Sequence, residues 1–386
     1  VIENKRFLSV QERIAKIPAM SKMPQPPNEM QPPSENDGFN VWDPEILSQI
    51  DALVNLAHAA EATEDNRDLV RQIIVTALKG ANTGLDRGDM KILSRSLREL
   101  RYGFGIFKEY RGRRKVTIFG SARTDEHDPD YVQALEFARR MAQKGFMSIT
   151  GAGPGIMQAG NQGAGPNNSF GINIRLPFEQ AANEFIVKDP RFIDCRFFFT
   201  RKLMFLKETS AVAFFPGGFG THDEAMETLT LVQTGKSNPM PIVFVDSPDD
   251  DYWKEWHEYI VRHLLKRRKI SPEDLGLYKI TDRVDEAVDE ITNFYRNYHS
   301  MRFVKDLLVL RLRQAVPADA LEALNKDFSD ICVKGGFTNS GPLSEEHDWT
   351  ELPRLVFQFD RLHFGRLRAL IDRVNQIPGL PTPTSY

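Results

Sequence analysis

Hydrophobic positions along this chain change their period twice. Between Asp43 and Tyr110 they recur at helical spacing, as in Ile46, Ile50, Leu53 and Val54, then Leu69, Ile73 and Ile74, then Leu93, Leu97 and Leu100. That spacing predicts an all-helical segment. From Lys115 onward, short apolar runs alternate with amphipathic stretches. VTIFG (116–120), FMSITG (146–151), GINIRL (171–176), AVAFF (211–215) and PIVFV (241–245) read as strands, with helices between them such as one from Tyr131 to Lys144. Apolar strands separated by helices predict a parallel sheet covered on both faces. After Met301 come FVKDLLVLRL (303–312), a helix from Pro317 to Phe328, RLVFQF (354–359) and a helix through Ile371, a second and smaller set of strands and helices. The expected fold class is α/β: a doubly wound, Rossmann-like parallel sheet with a helical N-terminal segment and a small C-terminal α/β appendage.

Residues 18–40 are dense in proline and polar residues and cannot form a regular element. The chain thus divides into a proline-rich arm or linker (1–41), the helical segment (42–112), a nucleotide-binding catalytic domain (113–299) and the appendage (300–386). No internal repeat is present. At 386 residues, 41% hydrophobic and 27% charged, the chain has ordinary globular usage and length enough for a sizeable core. A net charge of −3, from 50 basic and 53 acidic residues, offers no global attraction to polyanions, so nucleic acid is not an expected partner. Two cysteines, Cys195 and Cys332, are too few for a disulfide framework and lack zinc spacing. No apolar run reaches the roughly 18 residues of a membrane span, and VIENKRFLSVQER at the start lacks a signal-type apolar region. The expectation is a cytoplasmic protein with no membrane partner.

Ligands of doubly wound sheets gather at the carboxyl ends of the strands, so the strand-to-helix turns carry the candidate chemistry. Three stand out. Gly120-Ser121-Ala122-Arg123 places small residues directly after a strand, as a tight turn also would. Gly151-Ala152-Gly153-Pro154-Gly155-Ile156-Met157 resembles a dinucleotide fingerprint but has Ile156 where the third glycine belongs, and GINIR (171–175) lacks the acid expected at the next strand end. An NAD site is disfavoured, although glycines here let backbone amides approach a ligand. In Pro216-Gly217-Gly218-Phe219-Gly220-Thr221-His222-Asp223-Glu224, three glycines, the Thr221 hydroxyl and the start of a helix make a cradle for one phosphate. It is no Walker A loop. Gly235-Lys236-Ser237 has Thr230 in place of the first glycine and follows a helix, which argues against ATP hydrolysis.

Glu224 has two readings. Thr221-x-x-Glu224 fits a capping box, in which the glutamate returns to the Thr221 amide and merely starts the helix. Alternatively its carboxylate serves chemistry one helical turn from the phosphate. Arg201 and Lys202, at the start of an apolar helix leading into AVAFF, read by themselves as a solvated helix end. His257-Glu258 and His263 have the wrong spacing for H-E-x-x-H, and no metal site is expected. Basic runs at 111–115 and 266–269 are short and isolated.

PGGFGTHDE (216–224), preceded by Arg201-Lys202 and by GAGPGIMQAGNQGA (151–164), resembles the Lonely Guy family of phosphoribohydrolases, whose members were often mislabelled lysine decarboxylases. The resemblance covers roughly residues 115–298, and the flanking segments look like those of longer bacterial members. Shorter members have Met-His before the Arg-Lys pair where this chain has Phe198-Phe199-Thr200, a departure that bears on substrate preference. The resemblance implies hydrolysis of the N-glycosidic bond of a nucleoside 5′-monophosphate, AMP or a cytokinin riboside 5′-monophosphate, to free base and ribose 5-phosphate. By motif position it makes Arg201 and Glu224 the catalytic pair and seats the phosphate on Gly217, Gly218, Gly220 and Thr221. Ser121, Gly151, Gly153, Gly155, Met157 and Lys202 would wall the ribose and base pocket. No cofactor is implied, and family members pair as homodimers or larger homo-oligomers.

The physics of the bond agrees, because its cleavage builds positive charge on the ribose that a carboxylate can stabilise. Two other readings compete. One is a nucleotide-sensing protein that binds without turnover. The other is a pyridoxal phosphate-dependent lysine decarboxylase, for which Lys202 is the one well-placed lysine.

Overall fold

The computed structural model describes residues 44–57, 66–176 and 182–380, so the expected proline-rich arm lies outside the described residues. The described residues fall into two compact units, those up to Lys91 and those from Ile92 onward. In the first, α1 (Pro44–Ala57) and α2 (Arg67–Asn82) pack Ile50 and Val54 against Val75. This is the helical pattern expected from the spacing of those apolar positions. The next helix, α3 (Arg87–Lys108), lies mainly in the second unit.

The second unit holds a parallel sheet of seven strands. They are β1 (Lys115–Phe119), β2 (Met147–Thr150), β3 (Ser169–Ile174), β4 (Phe192–Cys195), β5 (Ala211–Phe214), β6 (Ile242–Val245) and β7 (Lys279–Thr281). Their order across the sheet is β4-β3-β2-β1-β5-β6-β7. The intervening helices are α4 (Pro129–Gln143), α5 (Ile156–Ala164), α6 (Phe198–Lys207), α7 (Phe219–Gln233), α8 (Tyr252–Tyr259) and α9 (Val284–Phe294). Strand residues alternate between two cores, as the pleat requires. Ala211, Ala213, Val243 and Val245 face the core shared with α4 and α9, while Val212, Phe214, Ile242 and Phe244 face Phe107, Met204, Phe205 and Trp253. Both faces are therefore buried, which is why these strands read as unbroken apolar runs.

A second sheet, antiparallel, follows with the order β10-β11-β9-β8. It is built from β8 (Tyr298–Val304), β9 (Leu307–Leu312), β10 (Thr338–Ser340) and β11 (Arg354–Phe357), with α10 (Ala318–Asp327) and α11 (Phe364–Asn375). FVKDLLVLRL, one apolar run in the sequence, folds as a hairpin that turns at Lys305 and Asp306, with Lys305 at φ 53. Leu308, Leu310, Leu355, Leu367 and Ile371 join the same core as Val116 and Ile118, so one face of this sheet shares a hydrophobic core with the first.

The sheet order reverses between β1 and β5: strands β2 to β4 extend to one side of β1, and β5 to β7 to the other. The crevice beyond the carboxyl ends of β1 and β5 is the topological switch point, where open α/β sheets hold their ligands.

Candidate active site

At the switch point the two strand ends are stitched together. The Ser121 amide, just past β1, donates to the Pro216 carbonyl at 3.0 Å, and the Phe215 amide donates to Phe119 at 2.9 Å. Pro216 and Gly217 then turn the chain, and α7 starts at Phe219 with Gly218 as its cap residue. Gly217 has no room for a side chain: a Cβ there would overlap the Thr221 hydroxyl and stand 2.9 Å from the Ser121 nitrogen. Gly218 and Gly220 face open space. The amides of Phe219 and Gly220 belong to the first turn, where a helix supplies no acceptor, and the positive end of the dipole lies among them.

This start corrects the capping reading of Glu224. Because the helix begins at Phe219, Thr221 is already its third residue and Glu224 stands in the second turn, beyond reach of the cap. The Pro-Gly-Gly turn frees the chain to enter the helix two residues before the hydroxyl that a sequence reading takes for the cap. Glu224 is instead buried, at 7% exposure, with its Oε2 lacking any hydrogen bond among the described residues. Lys202 Nζ approaches that oxygen at 3.4 Å, an ion-pair contact without hydrogen-bond geometry. Burial raises the carboxyl's pKa to about 7, opposed by the charges of Lys202 and Arg201 and reinforced by Glu227 and Asp223.

Arg201 and Lys202 are not a solvated helix end. Both are half-buried near the start of α6, which Glu99 of α3 holds by accepting the Arg196 amide at 3.0 Å and the Thr200 hydroxyl at 2.6 Å. The Arg201 guanidinium lies 5.0 Å from the Phe205 ring centre, and its Nε has no hydrogen-bond partner among the described residues. Burial lowers its pKa, and the Glu224 carboxylate counters that. Lys202 is held by Glu227 at 2.6 Å and Asp223 at 2.9 Å. Burial works against its charge, yet the Glu227 and Asp223 hydrogen bonds and the nearby Glu224 carboxylate raise its pKa above the ordinary lysine value.

The turn from Gly151 to Gly155 uses its glycines differently. A Cβ on Gly151 would overlap the Arg201 guanidinium and stand 2.5 Å from the Met157 sulfur, and one on Gly153 would stand 2.7 Å from Met157 Cε. Expected to let backbone approach a ligand, these two glycines let Arg201 and Met157 lie on the backbone. Gly155 caps α5 at φ 64, and a Cβ there would overlap the Ser121 carbonyl oxygen. The Ile156 amide donates to that same carbonyl at 3.0 Å, so Ser121 ties this turn to the Pro-Gly-Gly turn.

Several residues of the site carried no signal in the sequence. Asn183 donates its amide group to the Ala152 and Gly153 carbonyls at 3.0 and 2.9 Å, fixing the turn from a segment about thirty residues away. Tyr252 donates its hydroxyl to the Gly217 carbonyl, and His222 Nε2 lies 2.7 Å from that hydroxyl. With the Tyr252 proton given to Gly217, His222 Nε2 donates to the Tyr252 oxygen, and burial lowers the His222 pKa. Asp246, fully buried past β6, accepts the Trp253 amide, and burial raises its pKa to about 6. Of the histidines excluded as metal ligands, His257 pairs with the Tyr278 hydroxyl at 2.8 Å. No metal-type cluster of acidic, histidine or cysteine side chains occurs among the described residues.

Residues 131–291 match the family model described as "Possible lysine decarboxylase". That stretch contains the Arg-Lys pair, the glycine turns and the whole P-G-G-x-G-T-x-x-E element in the geometry just given. At these motif residues the α/β core resembles the Lonely Guy family. No curated protein matches the chain. Among solved structures, the molybdenum cofactor carrier protein of Chlamydomonas reinhardtii shares 20% identity over 46% of this chain and 94% of its own, with a TM-score of 0.33. The molybdenum cofactor binding protein of Rippkaea orientalis shares 18% over 45% and 91%, also at 0.33. DNA processing protein A of Helicobacter pylori shares 14% over 47% and 81%, again at 0.33. In this α/β core the motif residues converge on one crevice, and no helix among the described residues is long and apolar enough to cross a membrane.

Proposed function

We propose that this protein hydrolyses the N-glycosidic bond of a nucleoside 5′-monophosphate of the AMP or cytokinin riboside type, releasing the free base and ribose 5-phosphate. The observation that carries the reading is a juxtaposition. An open, glycine-lined helix start sits one turn ahead of a buried carboxylate whose Oε2 has no hydrogen bond among the described residues, only the ion-pair contact with Lys202. The phosphate would rest on the amides of Gly218 to Gly220 and the Thr221 hydroxyl, supplying binding energy remote from the reacting carbon. That places the ribose toward Glu224.

As the bond breaks, its electron pair leaves with the base nitrogen and positive charge grows on the sugar. Glu224 stabilises that charge and takes a proton from the water that adds to the anomeric carbon, while the departing base takes a proton from solvent and Glu224 later returns its own to solvent. A pKa of about 7 suits a group that must be ionised to act yet still accept a proton. Arg201, beside Glu224 and Gly151, would bring positive charge toward the base or the ribose hydroxyls.

The decarboxylase reading fits this chain poorly. A Schiff-base lysine needs a lowered pKa, whereas three carboxylates hold Lys202 protonated. No step through pyridoxal phosphate follows from these residues. A second copy of the chain is the proposed cover for the apolar side chains around the crevice. Phe219 is 96% exposed beside the glycines, and Phe198, Phe199 and Leu203 of α6 are also exposed. Light scattering of the purified chain, expected to give at least a dimer, checks this.

The test of function is release of free base from a panel of nucleoside monophosphates, diphosphates and nucleosides. Turnover confined to monophosphates is expected. Equal turnover of nucleosides would remove the phosphate cradle from the account, and AMP binding without base release would favour a nucleotide sensor.

A further inference from the structure

A cleft of about 670 Å³ opens between α6, α7 and the start of β8. Four cations line it, Arg114, Lys202, Lys207 and Lys236, against a single carboxylate, Glu227. Two of the cations are already neutralised, Lys202 by its acidic neighbours and Lys207 by Glu208 at 2.6 Å. Arg114 and Lys236 have no carboxylate partner among the described residues. Arg114 is held by the His299 carbonyl at 2.9 Å and by the face of the Tyr295 ring at 3.6 Å. A guanidinium withdrawn from water with only neutral partners is costly unless an anion completes its surroundings. His299 brings no charge of its own. Burial, then Arg114, Arg313, Arg311 and Arg354, push its pKa down to about 4, which marks the field here as positive.

The rest of the wall is apolar and aromatic, with hydroxyls among it. Leu203, Leu206, Met240 and the buried Tyr298 ring contribute to it. Ser210 and Ser237 add two more hydroxyl groups. The volume lies in the range of small-molecule pockets, roughly 300–1,000 Å³. Lys236 and Ser237 belong to the Gly-Lys-Ser triplet that is not a Walker A loop, and the structure gives that triplet another logic. Gly235 sits at φ 69 where a Cβ would overlap the Phe364 ring, and the Lys236 and Ser237 amides both donate to the Leu231 carbonyl at 2.9 Å. With those amides spent, the side chains are what the triplet offers to the cleft.

We propose that this cleft binds a small organic phosphate, its anionic head between Arg114 and Lys236 and its flat apolar body against Tyr298, Leu203 and Met240. The site is separate from the cradle at Gly217 to Thr221 and holds whether or not the crevice is a nucleosidase. Lys202 and Glu227, which line the cleft and also border Glu224, would connect the two places.

The test is an acetylation footprint of the lysines of the full chain, read by mass spectrometry, with inorganic phosphate, phenyl phosphate and AMP as probes. Phenyl phosphate at twice its dissociation constant is expected to slow acetylation of Lys236 about threefold. Inorganic phosphate should do less, since it lacks the apolar body; equal protection by inorganic phosphate would overturn the assignment to an organic ligand. Gly218→Glu, which puts a carboxylate in the cradle, should leave the protection of Lys236 intact. Loss of protection in that variant would trace it to the cradle. Lys236 is exposed, so Lys236→Glu should fold, and it is expected to weaken calorimetric binding of phenyl phosphate about tenfold. Unaltered binding in that variant, or no protection by any probe at millimolar concentration, overturns the proposal.

Discussion

Two glycine-rich turns meet at the switch point of this sheet, and they use glycine for opposite ends. At Gly151, Gly153 and Gly155 the space a side chain would fill is taken by protein atoms: the Arg201 guanidinium, the Met157 side chain and the Ser121 carbonyl. At Gly218 and Gly220 it is empty, in front of helix amides with no internal acceptor. The first turn is a socket that seats Arg201. The second leaves open space before the start of a helix. Glycine in a strand-to-helix turn is therefore ambiguous until one knows what occupies its missing side chain.

The sharpest way to break the comparison is Glu224→Gln. It keeps size and hydrogen-bonding capacity, and it is expected to lower base release from monophosphates by about a thousandfold, the scale of a lost transition-state charge. A steady-state assay reads this, and retention of more than about a tenth of the activity would reduce Glu224 to a bystander. Gly155→Ala comes next. Positive φ and overlap with Ser121 should cost roughly 2–4 kcal/mol in urea denaturation.

The third effect is a pH dependence of similar size. Folded Glu224 has a pKa of about 7 against an ordinary 4.5, so the native state holds this proton more tightly than the unfolded chain. The stability tied to that proton is complete below pH 4.5 and is lost as pH rises toward 7, about 3 kcal/mol in all. Glu224→Gln lacks this loss, so its melting temperature should gain on the parent between those two pH values. A constant difference across the range would contradict the burial of the charge.

Gly218→Ala probes the open turn. With nothing to strike, it should change stability by no more than about 1 kcal/mol while weakening monophosphate binding about tenfold, as calorimetry would show. Tyr252→Phe is the mildest. Removing the hydroxyl that grips the Gly217 carbonyl should raise KM several-fold, on the order of 1 kcal/mol, and leave kcat nearly unchanged.

Much of the architecture was legible in the sequence because burial on both sheet faces writes itself as apolar runs. VTIFG, AVAFF and PIVFV fall on β1, β5 and β6 for that reason. The site was legible where a motif is contiguous, as in the nine residues from Pro216. Reading failed where the deciding contact was remote or the local pattern had two meanings. Thr221-x-x-Glu224 looks like a capping box because spacing alone cannot show that Gly218 has already started the helix. Gly151 looks like a ligand approach because Arg201, fifty residues on, is invisible from it. Asn183 and Tyr252 lie far along the chain from the turns they pin, and each looks like an ordinary polar surface residue until the fold delivers it.

The most direct measurement is a crystal structure of the Glu224→Gln protein soaked with AMP. Phosphate oxygens are expected within hydrogen-bond reach of the Phe219 and Gly220 amides, with the anomeric carbon facing residue 224. A phosphate lying over Gly151 to Gly155, or a ribose turned away from residue 224, would contradict it.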